Sequence, residues 1–471
     1  MLFNSIPFLV LFIFTYIVYW NVDDKYKKYI LAGSSFLFYL YYDVLATLHF
    51  FIVILVNYYF SQKLFELKNK GADTGKYLNV ILILNILNLA FFKYFYFILD
   101  SIFSLTNSQM VRDLSSSMNI MLPLAISFYT FQLIAIQVDI NRGRVSEKIS
   151  FFDYTIFIIF FPQLIAGPIM RTSDFLPKLN HPTISSDIMK KGLFLLILGT
   201  FKKVVIADNV GNLVTPVFMD PEKYHYVSIL IALFGFAVQV YSDFSGYTDM
   251  ARGLAFLLGF EIPENFKGPF YSASFTELWS RWHITLSTWL RDYLYIPLGG
   301  NAKGFHRSNF NMLITMILGG LWHGANLAFI FWGAYLGLLL WVERLLIHKG
   351  YNLIPKNPVL LFLKRIFVFV FFALSVIFFR SGSFGTNSTD EMYKLSSNLF
   401  GLNQGRGIAG RDEVLLYIFL VLLLNYFQYQ EPSGEKWKKL HGILLPLASI
   451  FIFILLGLFG DGGGDFIYFQ F

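Results

Sequence analysis

The sequence predicts an all-α, polytopic integral membrane protein, and three observations carry that prediction. Hydrophobic residues make up 56% of the 471 residues and charged residues only 14%, against roughly 25% charged in an average soluble domain. Apolar runs of about 15 to 25 residues recur almost from end to end, the length that crosses a bilayer as a helix. Aromatic residues reach 19%, with 55 Phe and 28 Tyr, a bias suited to lipid-facing and headgroup-level positions. An ordinary soluble enzyme and an intrinsically disordered chain are both excluded.

The first run, from Phe3 to Trp20, has no basic segment before it and no small-residue cleavage site after it, so it reads as a retained span. Further spans are expected near 29–42, 44–60, 77–98, 118–138, 151–169, 192–207, 226–242, 247–260, 310–325, 326–347, 358–379, 413–428 and 443–460. About 11–13 of these elements cross or re-enter the membrane. Because the apolar runs continue almost from end to end, one membrane domain over 1–471 is expected, with a motif-bearing core at about 118–348; no fixed-period repeat occurs. The segment 381–412 is rich in Gly, Ser and Asn and reads as an exposed loop.

The charge of +7 would suggest nucleic acid in a soluble protein. Here the basic residues cluster in short loops, so membrane topology explains them and no nucleic-acid partner is expected. Lys25, Lys27 and Lys28, then Lys63, Lys68, Lys70 and Lys76, then Arg142, Arg144 and Lys148 fall on one parity, whereas Asp100 to Ser117 holds only Arg112. The positive-inside rule therefore places the N-terminus outside the cytoplasm. With no cysteine, disulfides, thiolate-bound zinc and an acyl group parked on a protein thiol are all excluded.

Between 261 and 309 the chain is less apolar. The stretch TELWSRWHITLSTWLRDYLY is helix-compatible: Glu277 and Arg281 stand four apart, and Trp282, Leu286, Trp289 and Tyr293 form a stripe. It reads as a helix lying in or dipping into the membrane interface.

Ionisable groups at membrane depth cost a few kcal/mol each and mark candidate sites. His323 is the sharpest, since LITMILGGLWHGANLAFIFWGAYLGLLL holds no other His and no Asp, Glu, Lys or Arg. A structural core histidine, a general base, a proton carrier and a metal or haem ligand all remain open for it. Gly319, Gly320 and Gly324 leave room for a substrate or for close helix approach. His283 lies between Trp282 and the hydroxyls of Thr285, Ser287 and Thr288, in a segment that could dip toward the same cavity; its plainer role is an interfacial, hydrogen-bonded histidine. Asn265 in the Pro263–Phe266 turn, Trp322 beside His323, and Arg281 and Arg291 are supporting candidates; a headgroup role is favoured for the two arginines over an anionic donor. Asp243 and Asp249, with Arg252, suit a structural charge network, and too few carboxylates accompany them for a metal. No phosphate loop, serine elbow or His-Glu-x-x-His motif occurs.

The run YSDFSGYTDMARGLAFLLGFEIPENFKGPFYSASFTELWSRWHITLSTWLRDYLYIPLGGN at 241–301, with GLWHG at 320–324, LPLAISFYTFQ at 122–132, AGPIMRTSDFLPKL at 166–179 and the terminal FIYFQF, resembles the membrane-bound O-acyltransferase family in its bacterial polysaccharide branch. YIPLGGN at 295–301 and FYTFQ at 128–132 are more similar to the alginate-acetylating members than to those that export D-alanine. The resemblance implies a helical fold around a funnel through a bacterial inner membrane, a near-invariant histidine at His323 and a second at His283. It implies no bound cofactor, an acyl thioester donor such as acetyl-CoA on the cytoplasmic side, an exopolysaccharide acceptor, and a separate extracytoplasmic acetyltransferase as partner. The competing readings are an exporter of D-alanyl or other acyl groups, for which Asp243 and Asp249 would form the binding site, and a non-catalytic scaffold.

Overall fold

The structure is a computed structural model that describes residues 1, 3, 5–118, 120–145, 147–180, 182–384, 388–430, 449–450, 452–457 and 466–467. The described residues are helical, with no strand among them. They form two compact units, Met1–Leu193 with Ala251–Pro263, and Phe194–Met250 with Glu264–Phe471.

In the first unit, α1 (Ile6–Asn21), α2 (Asp24–Leu40), α3 (Val44–Asn69) and α4 (Gly75–Thr106) follow one another through short turns, and a connection that carries the short helix Gln109–Ser117 leads to α5 (Ile126–Arg142). The starts are set by local capping: the Ser5 hydroxyl accepts from Phe8 N at 3.4 Å and the Asp43 carboxylate from Ala46 N at 2.6 Å. The lipid-compatible faces stay exposed, and the few polar side chains turn inward in pairs. Asn57 and Asn85 exchange amide hydrogen bonds at 3.0 and 2.8 Å, and Gln137 donates to Asn57 O at 2.8 Å. Reciprocal amides of this kind satisfy one another inside the bundle and join α3, α4 and α5.

The second unit contains the elements that hold the candidate site. After α6 (Ser186–Thr200) the chain continues as a π-helical stretch, Phe201–Ala207. Residues 226–260, expected as two spans, are instead dominated by one continuous helix, α7 (Tyr226–Leu257). Its Ser, Gly and Thr residues mark a buried packing face, since 72% of its most apolar window lies inside the protein. Then come α8 (Phe275–Arg281), α9 (Ile284–Leu290), α10 (Gly304–His323), α11 (Leu327–His348), α12 (Pro358–Phe384), α13 (Ser388–Phe400) and α14 (Arg411–Gln430).

Six of the described helices, α3, α4, α7, α11, α12 to Ser383 and α14, are long and apolar enough to cross a membrane. Other expected spans are shorter or broken helices: α1 has 16 residues, and the 151–169 segment breaks at Phe160 ahead of Pro162. The 443–460 span lies largely outside the described residues. The segment 381–412 differs from its reading as a loop. It carries α13, an amphipathic helix that buries Leu395 and Leu399 four apart and places Asp390 and Glu391 in its first turn.

Candidate active site

His323 is the last residue of α10, which ends there because Gly324 is fully extended, with φ −163° and ψ 153°. Asn326 then caps α11, its side chain accepting from Ala328 N at 3.0 Å. The two helices form a tight hairpin through glycine. A Cβ on Gly320 would fall on Phe329 O and within 3.0 Å of Gly333 N, and one on Gly324 would fall on the Phe329 ring. Close approach is therefore the use of these two glycines. Gly319 serves the other possibility and lines a cavity, its Cβ position 3.1 Å from Leu290 Cδ1.

That cavity has a volume of about 340 Å³, and His323, Gly319, Ser287, Trp332, Arg291 and Arg344 are among its lining residues. The imidazole is 5% exposed. Its ring centroid lies 5.0 Å from that of Trp322, 5.0 Å from Trp332 and 5.5 Å from Phe379. A titratable ring in an aromatic enclosure, open on one side to a mostly apolar cavity, suits proton transfer to or from a bound molecule.

His283 is placed differently. The stretch expected as one interfacial helix is broken at Trp282 and His283: α8 stops at Arg281, His283 takes a left-handed conformation at φ 42°, and α9 restarts after it. A non-glycine residue there needs local support. Asn265 provides it, its Oδ1 accepting from Thr285 N at 3.2 Å and Thr285 Oγ1 at 2.6 Å, while its backbone O accepts from Ile284 N at 3.0 Å. His283 lies against Phe244 at 4.6 Å and Trp322 at 6.2 Å. It does not line the cavity; the Trp322 ring neighbours both histidines. Both its ring nitrogens are buried without a hydrogen-bond partner among the described residues. His283 lies outside the six long apolar helices, and burial pushes its imidazole below the usual histidine range. It stays neutral as a result.

The other candidates sort by contact. Arg291 lines the cavity, with Nε 2.8 Å from Asp292 Oδ1. Arg281 is turned to structure: its Nε meets Glu277 Oε1 at 3.1 Å, as their spacing predicted, its Nη1 donates to Lys267 O at 3.0 Å, and its guanidinium lies 4.0 Å over the Tyr429 ring. Trp282 packs on Phe266 at 5.2 Å and Phe372 at 4.9 Å.

Asp243 and Asp249 lie in α7 away from the cavity lining. Asp243 Oδ1 meets Lys203 Nζ at 2.7 Å and Asp249 Oδ2 meets Lys202 Nζ at 2.7 Å; Lys203 also bonds Asp208 at 2.8 Å. These two lysines escaped the sequence reading because they sit inside an apolar run taken as a span. The π-helical turn places both on the side of α7. Asp243 Oδ2 also accepts from Ile467 N at 2.8 Å.

Glu343 was missed as well. It is 4% exposed on α11 and accepts from Phe275 N at 2.7 Å, Thr276 N at 2.9 Å and Thr276 Oγ1 at 2.5 Å. It fixes the start of α8, and so the segment leading to His283, to the helix that follows His323. A carboxylate inside an apolar helix was its signal. Among the described residues no group of three His, Asp or Glu side chains is placed to hold a metal ion.

The long apolar helices define a multi-pass membrane protein, and comparison with known proteins gives its class. The model of MBOAT, the membrane-bound O-acyltransferase family, matches residues 31–387, and the chain belongs to that family; it is an O-acyltransferase. Its relatives include the probable alginate O-acetylase AlgI of Pseudomonas aeruginosa, 36% identical over 93% of this chain and 84% of that one. The probable alginate O-acetylase AlgI of Pseudomonas putida is 33% identical over the whole of both chains. The peptidoglycan O-acetyltransferase of Helicobacter pylori is 31% identical over 95% of this chain and 92% of its own.

Proposed function

We propose that this protein moves an acetyl group from a thioester donor on the cytoplasmic side of a bacterial inner membrane toward a hydroxyl of an exopolysaccharide of the alginate type. The observation that carries the reading is the position of His323, at the end of an apolar-walled cavity large enough for the reacting part of a donor. The names of the alginate and peptidoglycan relatives support a polysaccharide acceptor.

In this mechanism His323 is the catalytic base. The acceptor oxygen attacks the thioester carbonyl, a C–O bond forms and the C–S bond breaks. The hydroxyl proton passes to the imidazole and from there to the departing sulfur, so the products are an ester and a thiol. The aromatic enclosure limits water, which would otherwise compete as acceptor. His283 and Trp322 act behind His323 as positioning residues, with Asn265 holding the backbone of His283. Delivery to the polymer is completed by an extracytoplasmic acetyltransferase partner. The whole chain acts as one membrane domain with no bound cofactor.

The test is purified protein in liposomes given acetyl-labelled CoA and a soluble hydroxyl acceptor. Thioester loss with label transfer by the wild type, and neither by His323→Ala, is the expected result. A wild type that leaves the thioester intact in the presence of its partner overturns the reading.

A further inference from the structure

We infer that the cavity between the end of α4 and the short helix Gln109–Ser117 binds the headgroup of a zwitterionic phospholipid, with Arg112 taking the phosphate and Asp100 the ammonium. The inference is independent of the acyl-transfer reading, since none of these residues lines the cavity of His323. The second cavity has a volume of about 360 Å³, and Asp100 and Phe103 of α4 and Val111, Arg112 and Ser115 of the short helix are among its lining residues. Its walls carry one carboxylate and one guanidinium. Arg112 lies over the Phe103 ring at 5.6 Å, yet no ion pair joins it to Asp100, and neither side chain has a hydrogen bond or ion pair among the described residues. Asp113, the carboxylate next to Arg112 in the chain, accepts from Gln109 Nε2 at 2.8 Å. Opposite charges that share a cavity without touching fit a molecule that carries both signs, and the guanidinium fork suits a phosphate. In phosphoethanolamine the phosphorus and nitrogen are four bonds apart, roughly 5 Å, so one headgroup spans two side chains that stand beyond ion-pair reach of each other.

The surface beside the cavity points to a lipid rather than a soluble headgroup. Ile98, Ile102 and Leu105 are exposed at steps of four and three along the last turns of α4, Leu105 to 85%, and Met110 and Leu114 are exposed on the short helix. Because α4 is long and apolar enough to cross a membrane, its end is where hydrocarbon gives way to headgroups. A lipid seated in the cavity lays its tails along this apolar stripe, whereas a soluble ion leaves the stripe uncovered. The connection that follows the short helix is tied down. The Tyr96 hydroxyl accepts from Ile120 N at 2.8 Å and donates to Met118 O at 2.9 Å, and the Tyr42 hydroxyl donates to Leu122 O at 3.1 Å. These bonds hold the connection to α4 and to the turn before α3, so the cavity wall is in place before a ligand arrives.

The test measures, by native mass spectrometry of the full-length protein in maltoside micelles, the binding of phosphatidylethanolamine and of phosphatidylglycerol with the same acyl chains. The two lipids share phosphate and tails and differ in the ammonium. The wild type is expected to bind phosphatidylethanolamine roughly fivefold more tightly. Asp100→Asn brings that ratio toward one, and Arg112→Gln weakens the binding of both lipids. Both side chains are exposed, so each variant is expected to keep the wild-type unfolding temperature in lipid-free micelles. A wild type without preference overturns the inference, as does an Asp100→Asn protein that keeps it or an Arg112→Gln protein that binds both lipids as the wild type does. A lower unfolding temperature in both variants without lipid makes the two residues structural and also overturns it. Soluble glycerophosphoethanolamine, added as competitor, separates the sources: displacement of the lipid at equal concentration shows that the tails contribute nothing and overturns the lipid as occupant.

Discussion

His283 and Asn265 show how one side chain can hold another in place. The left-handed turn at His283 rests on the Asn265 carbonyl oxygen, which takes both the amide and the hydroxyl of Thr285. Asn265→Ala strands those buried donors, a loss of about 1–3 kcal/mol. We expect acetylation to fall by at least about tenfold while the protein stays in the membrane, measured by thioester turnover per mole of folded protein. Asn265→Asp, which keeps the acceptor oxygens, is expected to recover part of that activity. At this scale the sequence was informative where a polar residue stood alone in apolar surroundings, as His323 does. It said little where a residue's partner is distant in the chain, as with Glu343 and Thr276.

The α10–α11 hairpin is the element on which the cavity depends. Gly320 and Gly333 bring backbone against backbone, so Gly320→Val has no space to occupy. Its expected cost is about 1–3 kcal/mol or more, seen as lower membrane levels and a lower unfolding temperature in detergent. The π-helical stretch before α7 makes a second prediction. Lys203→Met leaves the Asp243 carboxylate buried without its cation, at about 3–5 kcal/mol, and the double variant Lys203→Met/Asp243→Leu should recover a measurable part of that stability. Periodicity and length were enough to find the apolar helices. They could not separate one long helix from two spans at 226–260, because small polar residues in α7 look alike whether they break a helix or pack its buried face. Nor could they find the break at His283, which is set by contacts from Asn265 rather than by a local breaker.

At the scale of the whole molecule, six long apolar helices and the family assignment establish a multi-pass membrane protein. The orientation rests on charge alone: basic loops after the first, third and fifth spans, and few basic residues in 100–117. A chain without cysteine makes this directly testable by single-cysteine labelling in intact cells. Asn107→Cys, exposed at the end of α4, is expected to react with an impermeant maleimide from outside. Lys70→Cys, exposed at the end of α3, is expected to react only after the cytoplasmic membrane is opened. The reverse pattern would invert this topology.

The central claim is that His323 performs the acyl transfer. Its most direct test is the acetyl ester content of surface and secreted polysaccharide in cells carrying the native gene, a deletion and His323→Ala, with membrane levels of the protein measured alongside. Loss of acetyl ester in both altered strains, at unchanged protein level for His323→Ala, is the result predicted here. Loss in the deletion alone, with acetylation intact in His323→Ala, would contradict it and leave His323 as a packing residue.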